Sequence, residues 1–264
     1  MSDMITASIS SHPPRLSLLP KAVASLIDQV DQLNVYLNNI DTVPEFLKSP
    51  KINVVLSKDA AGDIFSRAKF YWSETVQGYH VLVDDDIVYP SDYVERMITR
   101  LDQYKRKVVM CVHANMIPNN FTTFYASHVS IPFWYGLKKD MRVHIPGAGT
   151  VVYHSDLLSI PHDIFTDHFC EDILIGKYFL SKDVPVISIS RPVNWLRSVG
   201  YQGEAETVFA RFKDSDQVQT RLVKEVAWPL YELDRDVLVS PPTWQQLLRL
   251  GQIHGTRLID LVRK

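Results

Sequence analysis

Short apolar segments alternate with amphipathic segments along the first half of the chain, and this alternation limits the possible folds more than any other feature. Several segments are rich in β-branched or aromatic residues, end at polar or turn residues and read as strands, namely 5–10, 33–38, 51–57, 79–84 and 107–112. Apolar side chains recur at helical spacing in 15–30 and in 90–104. Strands that alternate with helices predict an α/β fold with an open, largely parallel sheet flanked by helices.

The second half of the chain continues this pattern and then changes. Further strands are predicted within 147–158 and 184–190, and a further helix between them at 171–182. Beyond them, 205–228 and 243–264 both have a helix-like pattern. We therefore predict an α/β domain over residues 1–203 and a C-terminal helical extension over residues 204–264 that packs on it.

The composition is that of an ordinary globular protein, with 46% apolar residues, 22% charged residues and a net charge of −2. A net charge this small gives no support for nucleic acid as a partner. Cys111 and Cys170 lie in apolar segments and read as buried free thiols, which suits a reducing cytoplasm. The first residues lack the pattern of a signal peptide, and no apolar run approaches the ~20 residues that span a bilayer. We expect a cytoplasmic protein, or one that lies peripherally at the inner face of the cytoplasmic membrane.

Three successive aspartates, Asp84, Asp85 and Asp86, follow the apolar segment 79–83. Ligands of open α/β sheets bind at the carboxyl ends of the strands, where these residues are expected to lie. Residues i and i+2 of an extended segment point the same way, so Asp84 and Asp86 can converge. Carboxylate oxygens suit Mg²⁺ or Mn²⁺, particularly when substrate phosphates supply further ligands. The alternative is a solvated turn whose aspartates favour the start of the next helix.

Several stretches together resemble the GT-A glycosyltransferases, which bind a sugar nucleotide and hold its diphosphate with a divalent cation on a DxD motif. They are SSHPPRLSLLPKAVASLIDQVDQLNVYLN (10–38), DDDIVYPSDYVERM (84–97), GAGTVV (147–152) and NWLRSV (194–199). Among GT-A enzymes, the sequence is most similar to the bacterial capsule transferases that add α-N-acetylglucosamine to heparosan, and more distantly to the exostosin-like transferases. The resemblance implies a Rossmann-like sheet that binds a nucleotide sugar.

The resemblance also implies roles for individual residues. Asp84 and Asp86 would be the metal-binding pair, with Asp86 in direct contact with Mn²⁺ or Mg²⁺, whereas Asp85 would contact either the metal or the ribose. The nucleotide sugar would be bound by Ser10, Pro13, Arg15, Asn38, Lys69, Asp84, Asp85, His113, Gly147, Gly149, Thr150 and Trp195. An arginine offers a fork to a phosphate, an amide pairs with a base edge, and glycine lets the backbone approach a ligand closely. Each of these residues also has an ordinary alternative in a turn, a strand end or the core.

Acidic residues at the start of the segment 171–182 are the candidates for catalysis. By the same resemblance, Asp172 would be the catalytic carboxylate, with Glu171 beside it and Arg197 as a clamp on the diphosphate. In an inverting enzyme the carboxylate would deprotonate the acceptor hydroxyl, and in a retaining enzyme it would act as nucleophile or stabilise the transition state. The alternative is that Glu171 and Asp172 only favour the N-terminus of a helix.

These observations together predict a metal-dependent transferase that moves a sugar, N-acetylhexosamine by the resemblance, from a UDP-sugar to a growing bacterial capsule or surface polysaccharide. The resemblance to the heparosan-type transferases predicts that the transfer retains the configuration of the sugar, and inversion is the alternative. The expected partners are the UDP-sugar, an oligosaccharide or polysaccharide acceptor and other capsule-assembly proteins. Two other classes remain open, a nucleotidyltransferase and a non-catalytic sugar-binding subunit of a capsule complex. The segment SISSHPPRLS lacks the glycines that a nucleotidyltransferase usually has after its first strand.

Overall fold

The computed structural model describes residues 3–199, 215–232 and 235–242. The strands in these ranges are β1 (Ile5–Ser11), β2 (Gln32–Leu37), β3 (Ile52–Leu56), β4 (Tyr79–Val83), β5 (Ile87–Val88), β6 (Val109–Cys111), β7 (Ala114–Met116), β8 (Val129–Ile131), β9 (Gly136–Leu137), β10 (Met141–Val143), β11 (Ile145–Pro146), β12 (Thr150–His154), β13 (Val186–Ser188), β14 (Arg197–Ser198) and β15 (Leu238–Val239). The α-helices are α1 (Leu19–Leu26), α2 (Tyr93–Gln103), α3 (Phe124–Ser127), α4 (Glu171–Ser181) and α5 (Gln217–Lys224).

The largest sheet of the described residues has eight strands in the order β10-β13-β6-β12-β4-β1-β2-β3. Strands β3, β2, β1 and β4 are all parallel, as the alternation of strands and helices predicts. Strand β12 lies between β4 and β6 and runs antiparallel to both. Strand β10 at the edge is also antiparallel to its neighbour, β13. The sheet is therefore mostly parallel, and the sequence pattern did not indicate the reversed strand in its middle.

Both faces of the sheet are covered, which explains why the central strands read as continuous apolar runs. All five residues of β4 are buried. Val81 and Val83 pack into the same apolar cluster as the inner faces of α1 and α2. Leu82 points to the other face and packs in the cluster that includes the buried side of α4. The chain thus forms a helix–sheet–helix sandwich in which β4 is central.

Helix α5 is docked on the sheet domain through both polar and apolar contacts. The backbone N–H of Phe124 donates to Thr220 Oγ1 at 2.9 Å, and Arg221 forms an ion pair with Asp167 at 3.0 Å. The helix ends at Lys224, earlier than the helical pattern of 205–228 predicts. The helix predicted for 243–264 and the first part of the predicted extension, 204–214, lie outside the described residues. None of the described helices is long and apolar enough to cross a membrane.

Candidate functional site

A cavity of about 780 Å³ opens at the carboxyl end of β4. Its walls come from the aspartate segment after β4, the glycine segment before β12, the start of α4, the helix α5 and the aromatic residues between β7 and β9. Asp84, Asp86 and Asp172 all line it. The structure therefore brings the predicted metal-binding pair and the predicted catalytic carboxylate to one cavity.

The antiparallel direction of β12 explains how the glycine segment reaches the aspartates. The N-terminal end of β12 lies beside the C-terminal end of β4, where Thr150 is paired with Val83. Tyr89 ties the two ends together, because its hydroxyl accepts from the backbone N–H of Asp84 at 2.8 Å and donates to the carbonyl of Gly149 at 2.6 Å. The backbone of Gly149 is therefore held directly against Asp84.

Glycine is required at positions 147 and 149 because of this close packing. A Cβ atom on Gly149 would lie 1.8 Å from Asp84 Oδ2, and one on Gly147 would lie 2.6 Å from His113 Cδ2. Both distances are far shorter than a van der Waals contact. The close approach that the sequence predicts for these glycines is thus made to neighbouring side chains, by Gly149 to the Asp84 carboxylate and by Gly147 to the His113 ring.

Replacing Gly149 with alanine is expected to displace the Asp84 carboxylate, which lowers the affinity for UDP in Mn²⁺ about tenfold or more. Forcing a methyl group into such packing should also destabilise the fold by roughly 1–3 kcal/mol. UDP titration by calorimetry and thermal unfolding measure the two effects. In an Asp84→Ala background the contact with the carboxylate is absent and only the contact with the Cβ atom of residue 84, at 2.8 Å, remains, so the additional loss of stability from Gly149→Ala should be clearly smaller than in the wild type. An equal loss in both backgrounds would contradict this account.

The aspartate triplet divides as the alternation of side chains predicts. Asp84 and Asp86 line the cavity, whereas Asp85 is only 3% exposed. Asp85 accepts from Ser11 Oγ at 2.6 Å and from Arg15 Nη1 at 3.0 Å. These two hydrogen bonds therefore hold the loop after β1 against the end of β4.

Two cations balance the carboxylates at this end of the cavity. Lys69 is paired with Asp84, and Arg15 Nη1 lies 3.2 Å from Asp86 Oδ2. Burial and, secondly, the neighbouring charge of Asp84 raise the pKa of Asp86 to about 6, against the opposing charge of Arg15. Burial alone would lower the pKa of Lys69, but the charge of Asp84 raises it above its ordinary value. Lysine 69 is therefore a buried, permanently charged group beside the aspartates.

The donor set fits a divalent cation that is shared with a substrate. Asp84 and Asp86 offer hard carboxylate oxygens to the same cavity, and Mg²⁺ is usually bound through one or two carboxylates plus substrate phosphates. The described residues contain no group of three or more His, Cys, Asp or Glu side chains placed to hold a metal by themselves. A cation here would therefore need oxygens from a ligand such as a diphosphate.

Asp172 lies in the first turn of α4 and faces the cavity. Its Oδ1 accepts from the backbone N–H of Ala148 at 2.8 Å, which joins α4 to the glycine segment. Burial raises the pKa of Asp172 to about 7, partly opposed by this hydrogen bond and aided by the charge of Asp84. Its neighbour Glu171 is buried and accepts from Ser66 Oγ at 2.7 Å. Asp172 is thus a carboxyl group that can exchange a proton near neutral pH, whereas Glu171 holds the neighbouring loop.

His113 and Thr150 also lie in the cavity wall. The backbone N–H of His113 donates to Thr150 Oγ1 at 2.9 Å, so the side chain of Thr150 caps the end of β6. The ring of His113 is neutral because burial lowers its pKa to about 4. Its Nδ1 is buried and has no hydrogen-bond partner among the described residues. This nitrogen is available to a ligand.

Several predicted binding residues hold the loop that follows β3 instead of lining the cavity. Asn38 donates from Nδ2 to the carbonyl of Phe65 at 3.1 Å and accepts from the N–H of Ile64 at 3.2 Å. Ser10 Oγ lies 3.5 Å from the carbonyl of Ser66. Pro13 is exposed in the short 3₁₀ turn that leads to Arg15. Asn38 and Ser10 therefore hold the segment that carries Ser66 and Lys69, whereas Pro13 begins the turn that positions Arg15.

Trp195 and Arg197, which the resemblance assigns to the nucleotide sugar, are not among the residues that line the cavity. Trp195 is mostly buried, donates from Nε1 to Asp92 Oδ1 at 2.9 Å and packs against Tyr93. Arg197 is exposed in β14, which pairs with β5 directly after the aspartate triplet. Trp195 therefore has a packing role, which is the alternative that the sequence left open. Arg197 lies on the exposed strand that pairs with the residues directly after Asp86.

The sequence did not identify the other wall of the cavity. That wall consists of aromatic and amide side chains, namely Asn115, Phe124, Tyr125, His128, Phe133, Trp134 and Gln219. The aromatic-rich segment 121–137 was visible in the sequence, but its pattern is equally typical of a core. Gln219 comes from α5, and no local signal connects that helix with the end of β4.

Comparison with known proteins supports the fold. No protein-family model and no curated protein matches the chain. Among solved structures, the crystal structure of GalNAc-T7 with UDP, GalNAc and Mn2+ matches with a TM-score of 0.53 and 10% sequence identity. The match covers 71% of this chain and 42% of that chain, so this chain spans less than half of the structure that it matches. An identity this low establishes the shared fold alone, and the predicted α/β fold of the GT-A type is confirmed.

Proposed function

We propose that this chain is a metal-dependent glycosyltransferase that moves a sugar from a UDP-sugar to a hydroxyl group of an oligosaccharide or polysaccharide. The observation that carries the proposal is the cluster of Asp84, Asp86, Lys69 and Arg15 in a cavity at the carboxyl end of the central strand. GalNAc-T7, which shares the fold, binds UDP, GalNAc and Mn2+. A nucleoside diphosphate with a divalent cation is the ligand that best suits this arrangement of charges.

The aspartate end of the cavity would hold the diphosphate. When bound, a Mn²⁺ or Mg²⁺ ion on Asp86 and Asp84 would neutralise the negative charge that grows on the leaving UDP. Arg15 lies beside Asp86 and can turn its planar fork to a phosphate, and Lys69 supplies a charge that is already fixed by Asp84. Because these groups are held in place before the ligand binds, they need little rearrangement as the sugar–phosphate bond breaks.

Asp172 would serve the sugar side of the reaction. Its carboxyl group lies in the cavity, next to the glycine segment that contacts Asp84. If the configuration is inverted, the ionised carboxylate accepts the proton of the acceptor hydroxyl. We propose retention, following the resemblance to the heparosan-type transferases, and Asp172 would then stabilise the positive charge of the transition state. The anomeric configuration of the product, read by proton NMR, distinguishes the two mechanisms.

The proposed setting is the synthesis of a bacterial capsule or surface polysaccharide in the cytoplasm, with N-acetylhexosamine as the donor sugar and other capsule-assembly proteins as partners. This part of the proposal rests on the sequence stretches that resemble the capsule transferases. A panel of UDP-sugars with purified protein names the donor, and isolation of the complex from capsule-forming cells names the partners.

Thermal unfolding in the presence of nucleotides tests the proposed activity against its two rivals. UDP at 100 times its dissociation constant should stabilise the protein by about 2.7 kcal/mol, and only when Mn²⁺ is present. A nucleotidyltransferase should respond more to a nucleoside triphosphate, and a non-catalytic subunit should not respond to any nucleotide. Release of UDP from one donor, prevented by EDTA, completes the evidence. If neither UDP nor any UDP-sugar stabilises the protein with either metal, the proposed function is wrong.

A further inference from the structure

We propose that the cavity contains a subsite for a neutral sugar of the acceptor, in which the side-chain amides of Gln219 and Asn115 bind its hydroxyl or acetamido groups. We call these two residues, together with the aromatic wall of Phe124, Tyr125 and Trp134, the amide subsite. The inference rests on the proposed function and specifies the acceptor. It is based on buried polar groups that have no partner in the protein.

The main observation is the buried side-chain amide of Gln219, which lacks hydrogen-bond partners in the described part of the chain. The side chain lines the cavity and is only 2% exposed, yet neither its Nε2 nor its Oε1 has a hydrogen-bond partner among the described residues. An unsatisfied buried amide group is unfavourable, so such groups are rare in native structures and require an explanation. A ligand that accepts from Nε2 and donates to Oε1 would supply both missing hydrogen bonds.

The helix that carries Gln219 is fixed on several sides, so the amide is held in this place. Thr220 Oγ1 accepts from the N–H of Phe124 at 2.9 Å, and Arg221 pairs with Asp167 at 3.0 Å. Glu225, just after the helix, pairs with Lys177 of α4. On the other side of Gln219, Asp216 Oδ2 accepts from the N–H of Tyr125 at 2.7 Å, so contacts on both sides of Gln219 keep its amide in the cavity wall.

Asn115 provides a second unsatisfied group in the same cavity. It lies in β7, where it is paired with Ser130 of β8 and with Ile145 of β11. Its Oδ1 is buried and has no hydrogen-bond partner within the described part of the chain. Strands on both sides hold its backbone, so this oxygen also has a fixed position. Amides on two separate elements thus present unused donors and acceptors to one ligand.

The remaining wall of the subsite is aromatic. Phe124, Tyr125, Phe133 and Trp134 line the cavity, and Trp134 is 43% exposed. Cavities of 300–1,000 Å³ with mostly apolar walls and a few polar groups are typical sites for small organic ligands. A pyranose ring has an apolar face that can lie on an aromatic ring and an equator of hydroxyl groups that suits the amides. The combination favours a sugar over an ion.

The charges of the wall indicate that this sugar is neutral. The cations that line the cavity, Arg15 and Lys69, lie at the aspartate end and are each paired with a carboxylate. Arg191 lies behind the aromatic segment, where its guanidinium donates to the carbonyls of Pro132 and Tyr135. A uronic acid in the amide subsite would bury its charge against no arginine or lysine among the described residues that line the cavity there, which is unfavourable. An unsubstituted hexose or an N-acetylhexosamine meets no such penalty.

Steady-state kinetics with Gln219→Ala test the proposal. We expect the KM for a neutral acceptor, methyl β-N-acetylglucosaminide or methyl β-galactoside, to rise tenfold or more. The KM for the UDP-sugar and the rate of its hydrolysis should stay within twofold of the wild type. Gln217→Ala, on the exposed side of the same helix, is the matched control and should change neither constant. Asn115→Ala should raise the acceptor KM in the same way.

Direct binding separates the failure of this inference from the failure of the proposed function. Saturation-transfer NMR should show methyl β-N-acetylglucosaminide or methyl β-galactoside bound to the wild type, and at least tenfold less of it bound to Gln219→Ala. Methyl β-glucuronide should not bind, and its preference over the neutral sugars would overturn the inference. A rise in the donor KM alone would assign Gln219 to the donor. If UDP fails to bind in Mn²⁺ while the sugar still binds, the amide subsite stands and the transferase function falls.

Discussion

Replacing Asp86 with asparagine is expected to reduce kcat/KM for sugar transfer by about 10³-fold and to abolish the Mn²⁺ dependence of UDP binding. The substitution keeps the size of the side chain and removes only its charge, so the cavity retains its shape. Electrostatic stabilisation of the leaving group is the main contribution that this end of the cavity can make, and single contributions of this kind amount to 10²–10³ or more. The measurements are transfer rates and UDP titrations with Mn²⁺ and with EDTA.

Two controls make this result specific to the cavity. Asp156→Asn removes a carboxylate that is 78% exposed just after β12, at the end of the central strands opposite to the cavity, and should leave the rate within twofold. The Tm of Asp86→Asn should not fall, because burial already disfavours the ionised form of Asp86, as its raised pKa indicates. If Asp86→Asn retains more than a tenth of the activity with its metal dependence intact, Asp86 is not the metal-binding residue.

Replacing Asp172 with asparagine is expected to reduce kcat by 10²–10⁴-fold and, at alkaline pH, to stabilise the metal-free protein. The loss of rate follows from the loss of the charge that either accepts a proton or stabilises the transition state. The stabilisation follows from the pKa of Asp172, which burial raises from 3.8 to about 7. An asparagine keeps the oxygen that accepts from the N–H of Ala148.

The sign of the pH effect is fixed by this shift. Between pH 3.8 and 7 the folded wild type binds a proton at Asp172 that the unfolded chain does not, so its stability decreases as the pH rises through about 7. Asp172→Asn has no such dependence. Its Tm relative to wild type, measured in EDTA, should therefore rise by roughly 4–8 °C between pH 5.5 and 8.5, since the interval from pH 5.5 to a pKa of about 7 corresponds to about 2 kcal/mol. A difference in Tm that is constant with pH would show that Asp172 is not protonated in the folded state.

The central strands and their helices could be predicted because their patterns are local. Residues 79–83 are buried on both faces, so they form one apolar run that ends where the aspartates begin. The division of the triplet also follows from local geometry, since Asp85 alternates with Asp84 and Asp86. The direction of β12 could not be predicted in this way. Residues 150–154 have the same β-branched pattern whether they run parallel or antiparallel to β4, and only the path of the preceding chain decides.

Some polar or glycine residues of the cavity could be recognised from their neighbours in the sequence, whereas others could not. Gly149 could be assigned to a close approach because glycines beside a strand are typical of that role, although its contact with Asp84 needed the structure. Gln219 and Asn115 could not be assigned. Each is one amide in an ordinary helix or strand, and their significance lies in the missing hydrogen bonds that only the packing of distant elements produces. Trp195 had equal claims to the core and to a ligand, and its bond to Asp92 favours the core.

The reversed strand in the middle of the sheet also fixes the order in which the protein can be completed on the ribosome. Strands β1 to β4 can pair as soon as they emerge, but the other edge of β4 must wait for residues 150–154. Until then β4, whose five residues are all buried in the finished fold, has an unpaired edge, which is a ready template for association with another chain. Asp84 lacks its contact with Gly149 during the same interval, so the nascent chain cannot form the aspartate end of its cavity before the centre of its sheet is closed.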